Sequence, residues 1–189
     1  MTRNTREDVV RAAGRLFAER GYHGTSMRDL GRELGLLGSS LYAHVDGKQE
    51  LLVEVVERGA ALFQASADAA GLVPGPAVNR LRALITGHIG VVLDNRDEVR
   101  TFLHEAHALD GEHRMQIIEA RDRYEQAFRD ALTAGVDDGS IREDIDPSID
   151  GIFVLSILNA VDRWYREEGR LSRGEIVDRV NRFVSAGVG

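Results

Sequence analysis

No cysteine occurs among the 189 residues, which excludes disulfides, thiolate metal sites and a cysteine nucleophile. Prolines number three, and no stretch alternates apolar and polar residues as a half-buried strand would, so the chain reads as helical throughout. No window approaches about 18 uninterrupted apolar residues. The start, MTRNTREDVVRAA, has no long apolar core either, so no membrane span, no signal peptide and no membrane partner are expected, and the protein is expected to stay in the cytoplasm. Gly-x-Ser-x-Gly, a Walker loop and a dinucleotide fingerprint are all missing. No catalytic residue and no cofactor are therefore nominated, although six histidines and thirty-one carboxylates keep a cryptic enzyme as a rival reading. Lysine is almost absent: Lys48 stands alone beside twenty-three arginines.

What is present is an ordinary globular composition, 43% hydrophobic and 29% charged, long enough for one or two small domains. The net charge of −7 is unevenly spread: residues 1–50 carry +1 and residues 51–189 carry −8. That asymmetry suits a small nucleic-acid-contacting head on an acidic body.

The most informative stretch is residues 26–52, SMRDLGRELGLLGSSLYAHVDGKQELL. Ser26 followed three residues later by Asp29 is a helix-start signal, Met27, Leu30 and Leu34 recur at helical spacing, and Gly35 sits where a helix stops. Leu36 and Leu37 fill a turn. A second short helix begins near Ser39, turning Leu41 and Val45 to one side and Ser39, Ser40, Tyr42, Ala43 and His44 to the other. Small and hydroxylic outward residues suit a helix that enters a major groove roughly 12 Å wide. Upstream, a helix from about Arg6 to Arg20 carries Val9, Ala13, Leu16 and Phe17 as its apolar stripe and is stopped by Gly21. Residues 2–5 form a polar arm whose Arg3 could reach DNA.

This run, with AAGRLFAERGYHG before it, resembles the N-terminal domain of the tetracycline-repressor (TetR) family of bacterial transcription regulators. The matching residues are Leu16, Phe17, Glu19, Gly21, Tyr22, Thr25, Ser26, Leu41, Tyr42, His44, Lys48, Glu50 and Leu51, about a quarter of the chain. Departures are Leu37 where members often have Ser, Gly38 where they often have a basic residue, and Val45 in place of Phe. The resemblance implies an all-α fold of about nine helices: a three-helix helix-turn-helix DNA-binding domain over residues 1–47, then a helical effector-binding and dimerisation domain over 48–189. It implies a homodimer that binds a palindromic double-stranded DNA operator and leaves it when a small molecule binds, through Thr25, Ser26, Arg28, Gly38, Ser39, Ser40, Tyr42, Ala43, His44 and Lys48. A helical ligand-binding module without DNA binding is the other rival, favoured by Leu37 and Gly38.

Beyond the head, a fourth helix begins near Lys48 and runs to the break GLVPGP at 71–76. Further helices are expected over Ala77–Asp94, Glu98–Leu109, Glu112–Ala134, Pro147–Glu168 and from Ser172 onward, with Gly135–Asp146 as a connector. The last two are apolar over much of their circumference, so Ile152, Leu155, Ile176, Val180 and Phe183 are nominated for a two-fold interface. The effector pocket is expected among Phe63, His88, Phe102, His104, His107, Tyr124, Phe128, Asn159 and Trp164. His104 and His107, three apart near Glu105 and Asp110, lack a well-placed third ligand, and no metal site is assigned.

A second resemblance concerns the ligand. The tail pattern of Asn159, Trp164, Tyr165, Gly169, Leu171 and Ser172, with ARDRYEQAFRDAL and GSIREDIDP, is similar to the TetR branch controlling fatty-acid, phenylacetate or sterol catabolism. That branch senses acyl-CoA thioesters, which implies an apolar acyl pocket with arginines such as Arg100, Arg121 or Arg123 meeting the CoA phosphates. A cationic or aromatic drug is the competing effector class, since the acidic body would attract a cation.

Overall fold

The computed structural model describes residues 5–36 and 38–189, and the side chains of Gly38 and Ser39 lie outside the described residues together with the arm at 1–4 and Leu37. The order is α1 (Arg6–Arg20), α2 (Met27–Leu34), α3 (Gly38–Leu41), α4 (Lys48–Gly71), α5 (Ala77–Asp94), α6 (Arg96–His104), a 3-10 turn (Ala106–Ala108), α7 (Gly111–Asp137), α8 (Pro147–Trp164) and α9 (Arg173–Val188). Among the described residues there is no strand, and no helix is long and apolar enough to cross a membrane.

The residues group into two compact units, one of Met1–Ala61 with Asn95–Glu119, the other of Leu62–Asp94 with Ala120–Gly189. This differs from a division after residue 47 because the first half of α4 and all of α6 pack with the head. α1 starts at a capping box: the Thr5 amide donates to Asp8 Oδ2 at 2.8 Å and the Asp8 amide to Thr5 Oγ1 at 3.3 Å. Its buried stripe is Val9, Val10, Ala13, Leu16 and Phe17. α4 comes so close to α6 that a Cβ on Gly59 would lie 2.7 Å from Phe102 Cβ and 3.0 Å from the Glu98 carbonyl. Thr101, fully buried on α6, donates its hydroxyl to the Gly14 carbonyl of α1 at 3.3 Å. An ion-pair chain of Glu7, Arg58, Glu54, Arg6 and Glu50 laces α1 to α4.

In the other unit α5 packs on α8 and α9. Asp138 and Ser140 cap α5, accepting the amides of Ala77 at 2.7 Å and Val78 at 3.2 Å. Asp146 accepts from the Ser148 amide at 2.9 Å, and Pro147 opens α8 where a missing N–H costs nothing. Ser172 and Glu175 form a capping box on α9, and Arg173 pairs with Asp94 at the end of α5.

Three helices stop earlier than their sequence patterns suggest. α3 ends at Leu41 and residues 42–44 form a turn, in which the His44 amide donates to the Leu41 carbonyl at 3.0 Å. α6 stops at His104: Glu105 (φ −108°, ψ −10°) caps it, its amide still on the Thr101 carbonyl at 2.9 Å, while its carboxylate accepts the Tyr22 amide. α8 stops at Trp164: Tyr165 is extended with its side chain buried, and Arg166 donates to the carbonyls of Arg163 and Tyr165 at 3.0 and 2.8 Å.

Candidate nucleic-acid interface and effector site

The DNA-facing corner begins at α2. Ser26 and Asp29 bond reciprocally, Ser26 N–H to Asp29 Oδ2 at 3.0 Å and Asp29 N–H to Ser26 Oγ at 3.2 Å. The Ser26 hydroxyl beside it holds the Asp29 carboxyl below its ordinary range. α2 ends on Gly35 at φ 63°, ψ 27°, a left-handed conformation that suits glycine, and the Leu36 amide returns to the Gly31 carbonyl at 2.8 Å. Leu41 and Val45 are buried, pinning the next segment to the core. Arg28, Ser40, Tyr42 and Ala43 are exposed and His44 half-buried. The Tyr42 ring is 56% exposed, unusually open for so large a side chain.

Two nominated DNA contacts instead serve the interior of the head. Thr25 is 1% exposed and its hydroxyl sits 3.0 Å from the Gly21 carbonyl and 3.2 Å from that of Leu16. The Lys48 ammonium donates to the carbonyls of Tyr22 and Thr25, both at 2.9 Å, and lies 4.0 Å over the Tyr22 ring. It thus ties together the carbonyls of the α1–α2 corner with charge-assisted bonds. The same corner is held from α6: the Tyr22 amide donates to Glu105 Oε2 at 2.8 Å. The Tyr22 hydroxyl donates to Gln49 Oε1 at 2.7 Å, and the Gln49 amide reaches Asp110 Oδ1 at 3.4 Å. Burial, with the Asp110 charge nearby, pushes the Tyr22 phenol up. Sequence reading missed Glu105 and Gln49 because their partners lie 83 and 27 residues away.

Of the nominated effector residues, four rings gather in the second unit. Phe63 (α4), His88 (α5), Tyr124 and Phe128 (α7) have neighbouring centroids 4.8 to 5.8 Å apart, and all four are buried. His88 Nδ1 is 3.0 Å from the Tyr124 hydroxyl. Burial drives His88 down to about 3, only partly opposed by the Asn159 side chain, so its ring is neutral. Burial likewise pushes the Tyr124 phenol up. Asn159 (α8) therefore belongs with this cluster. Of the remaining candidates, Phe102 lies against Gly59 in the first unit, Trp164 is 52% exposed, and His104 and His107 are exposed. The break after His104 leaves His107 Nδ1 on the His104 carbonyl at 2.7 Å, and no group of three metal-binding side chains occurs among the described residues.

On α8 and α9, Ile152 (46%) and Phe183 (68%) are exposed, joined by Ile149 and Phe153. Ile176 and Val180, nominated for the interface, are buried within the single chain, and Leu155 is half-buried.

A capped helix, a glycine turn and a short exposed second element on a three-helix core define a helix-turn-helix protein, here with a helical unit enclosing a neutral aromatic cluster. Residues 9–55 match the family "Bacterial regulatory proteins, tetR family" and residues 74–188 match "Tetracyclin repressor-like, C-terminal domain". The chain belongs to the TetR family, whose members are ligand-responsive DNA-binding repressors and not enzymes. It is 28% identical over 186 residues to the HTH-type transcriptional repressor KstR2 of Mycobacterium tuberculosis, covering 97% of this chain and 92% of the relative. Among solved structures it is similar to PfmR of Thermus thermophilus (31% identity, TM-score 0.85, 94% of this chain and 97% of the other). AibR, solved in complex with isovaleryl coenzyme A and operator DNA, is 28% identical at TM-score 0.86, covering 94% of this chain and 96% of that one.

Proposed function

We propose that the chain works as a homodimeric repressor on a pseudo-palindromic operator and is released from it by an acyl-CoA thioester. The observation that carries the effector class is the buried quartet Phe63, His88, Tyr124 and Phe128, apolar apart from one neutral imidazole and one neutral phenol. An uncharged acyl chain suits those surroundings, whereas a buried ammonium would lose its hydration without a counter-charge from the four rings. The similarity to AibR, solved with isovaleryl coenzyme A, supports the same class. Two-fold assembly is supported by the apolar side chains that α8 and α9 leave exposed, with a groove of about 650 Å³ lined by Ile157, Val180, Phe183, Arg179 and Arg182.

A dimer presents two heads to half-sites about one helical turn apart, with Arg28, Ser40, Tyr42 and Ala43 outermost on each. Release follows when the effector binds the DNA-incompetent arrangement better than the competent one. A coupling of about 1–3 kcal/mol weakens operator binding roughly 5- to 150-fold.

Fluorescence anisotropy with DNA from the region upstream of the protein's own gene tests this. Salt-sensitive binding reversed by isovaleryl-CoA is expected. Release by an aromatic cation and not by the CoA ester would overturn the effector class, and a monomeric sedimentation profile would overturn the assembly.

A further inference from the structure

His88 is 1% exposed, stacked beside Phe63 at 4.8 Å between centroids and bonded through Nδ1 to Tyr124 at 3.0 Å. Its second nitrogen, Nε2, is buried and has no hydrogen-bond partner among the described protein atoms. Asn159 is close enough to favour protonation of the ring, yet it makes no bond to Nε2 of acceptable geometry, so it is a neighbour and not a partner.

Two arrangements of the protons are open to a neutral imidazole next to a neutral phenol. If the Tyr124 hydroxyl donates to Nδ1, one donor is left over, the Nε2–H. If Nδ1–H donates to the hydroxyl instead, both the phenol proton and the Nε2 lone pair are left over. The first leaves fewer orphaned groups in a buried site, so Nε2 carries the proton.

A groove opens one helical turn from these rings. One helical turn along from Phe63, His88, Tyr124 and Phe128 stand Ala67, Leu84, Ala127 and Ala131, and these four line a cavity of about 360 Å³ that also touches Arg80 and Asp130. The lining lies one turn C-terminal to the rings on α4 and α7 and one turn N-terminal on α5, and its side chains are mostly small.

We propose that His88 Nε2–H is the group that recognises the effector, donating to a neutral carbonyl oxygen, with Tyr124 as the positioning residue that fixes the ring's tautomer. This rests on the acyl-CoA reading and deepens it: the group read is the thioester carbonyl, and the acyl chain lies against Phe63 and Phe128. A cation would meet the positive end of an N–H dipole. A carboxylate would bring a full charge to a site offering a single neutral donor. A thioester carbonyl brings one acceptor and no charge, which is what one orphaned donor requires.

The test compares isovaleryl-CoA with its thioether analogue, S-(3-methylbutyl)-CoA, which lacks only the carbonyl, by calorimetric titration of the full chain. Wild type is expected to bind the thioester about tenfold more tightly, the scale set by leaving a buried donor unpaired. His88→Phe is expected to bring both ligands to the thioether's affinity, while His88→Gln, which keeps an N–H near the Nε2 position, restores part of the preference. Equal binding of the two by wild type, or an unchanged ratio in His88→Phe, overturns the role of His88 and leaves the acyl-CoA reading standing. Failure of wild type to bind either compound overturns both. Because a core variant can misfold, nitrogen-15 NMR of the wild-type imidazole gives a second readout: Nε2-protonated and neutral down to about pH 4 is expected, and an Nδ1-protonated ring overturns the proposal.

Discussion

The head and the regulatory unit treat their buried polar groups in opposite ways. In the head, Thr25, Lys48, Tyr22 and Thr101 each close on a carbonyl or carboxylate of a neighbouring segment, so the α1–α2 corner is fixed before DNA arrives. In the regulatory unit, a buried imidazole keeps one nitrogen without a hydrogen-bond partner among the described residues. A preorganised surface loses little freedom on binding, which favours affinity. An uncommitted buried donor costs stability, which a ligand can return. Rigidity thus sits in the helix-turn-helix unit, and unmet bonding capacity in the unit proposed to take the effector.

The largest expected effect is on the regulatory side. Phe128→Ala removes a fully buried ring from the quartet and is expected to cost about 3–5 kcal/mol in urea unfolding. A loss below about 1 kcal/mol would mean the cluster is not the core of its unit. On the head side, Gly59→Ala forces a methyl to within 2.7 Å of Phe102 Cβ and 3.0 Å of a backbone carbonyl. It is expected to destabilise by about 1–3 kcal/mol, because α4 and α6 must separate.

Acid sharpens the contrast. The folded-state pKa of His88 lies at about 3 against an ordinary 6.5, so between those values the unfolded chain binds a proton that the folded chain refuses. Stability from this group is complete above pH 6.5 and falls as pH drops towards 3, approaching about 1.4 kcal/mol per pH unit. Urea midpoints between pH 7 and 5 are expected to show this slope in wild type and to lose it in His88→Phe.

The smallest effect separates holding from touching. Lys48 spends its ammonium on two carbonyls inside the head, so Lys48→Met is expected to weaken operator binding while leaving the slope of log K against log salt unchanged. A slope smaller by about 0.9 would show a direct phosphate contact instead.

Much of this was legible in the sequence where the signal is local. Both ends of α1, the Ser26–Asp29 cap, the Gly35 stop and the full span of α5 follow from residues within a turn of each boundary. The breaks after His104 and Trp164 were not, since the residue at each has a partner remote in sequence: Glu105 holds the Tyr22 amide, and Tyr165 is buried in the core. Residue type nominated Phe63, His88, Tyr124, Phe128 and Asn159 for the effector site, but which of nine candidates converge depends on how the helices are rotated about their axes. Ile176 and Val180 show the same limit, since periodicity marks an apolar face without saying what covers it.

Because one residue both terminates α6 and secures the Tyr22 amide, the length of that helix is tied to the needs of a corner 83 positions earlier in the chain. Adding or deleting a residue just before Glu105 would rotate its carboxylate by about 100° and strand the amide. Insertions are therefore expected to be tolerated in the Leu72–Pro76 loop and rejected at the end of α6, making this short junction a place where evolution can change letters but not spacing.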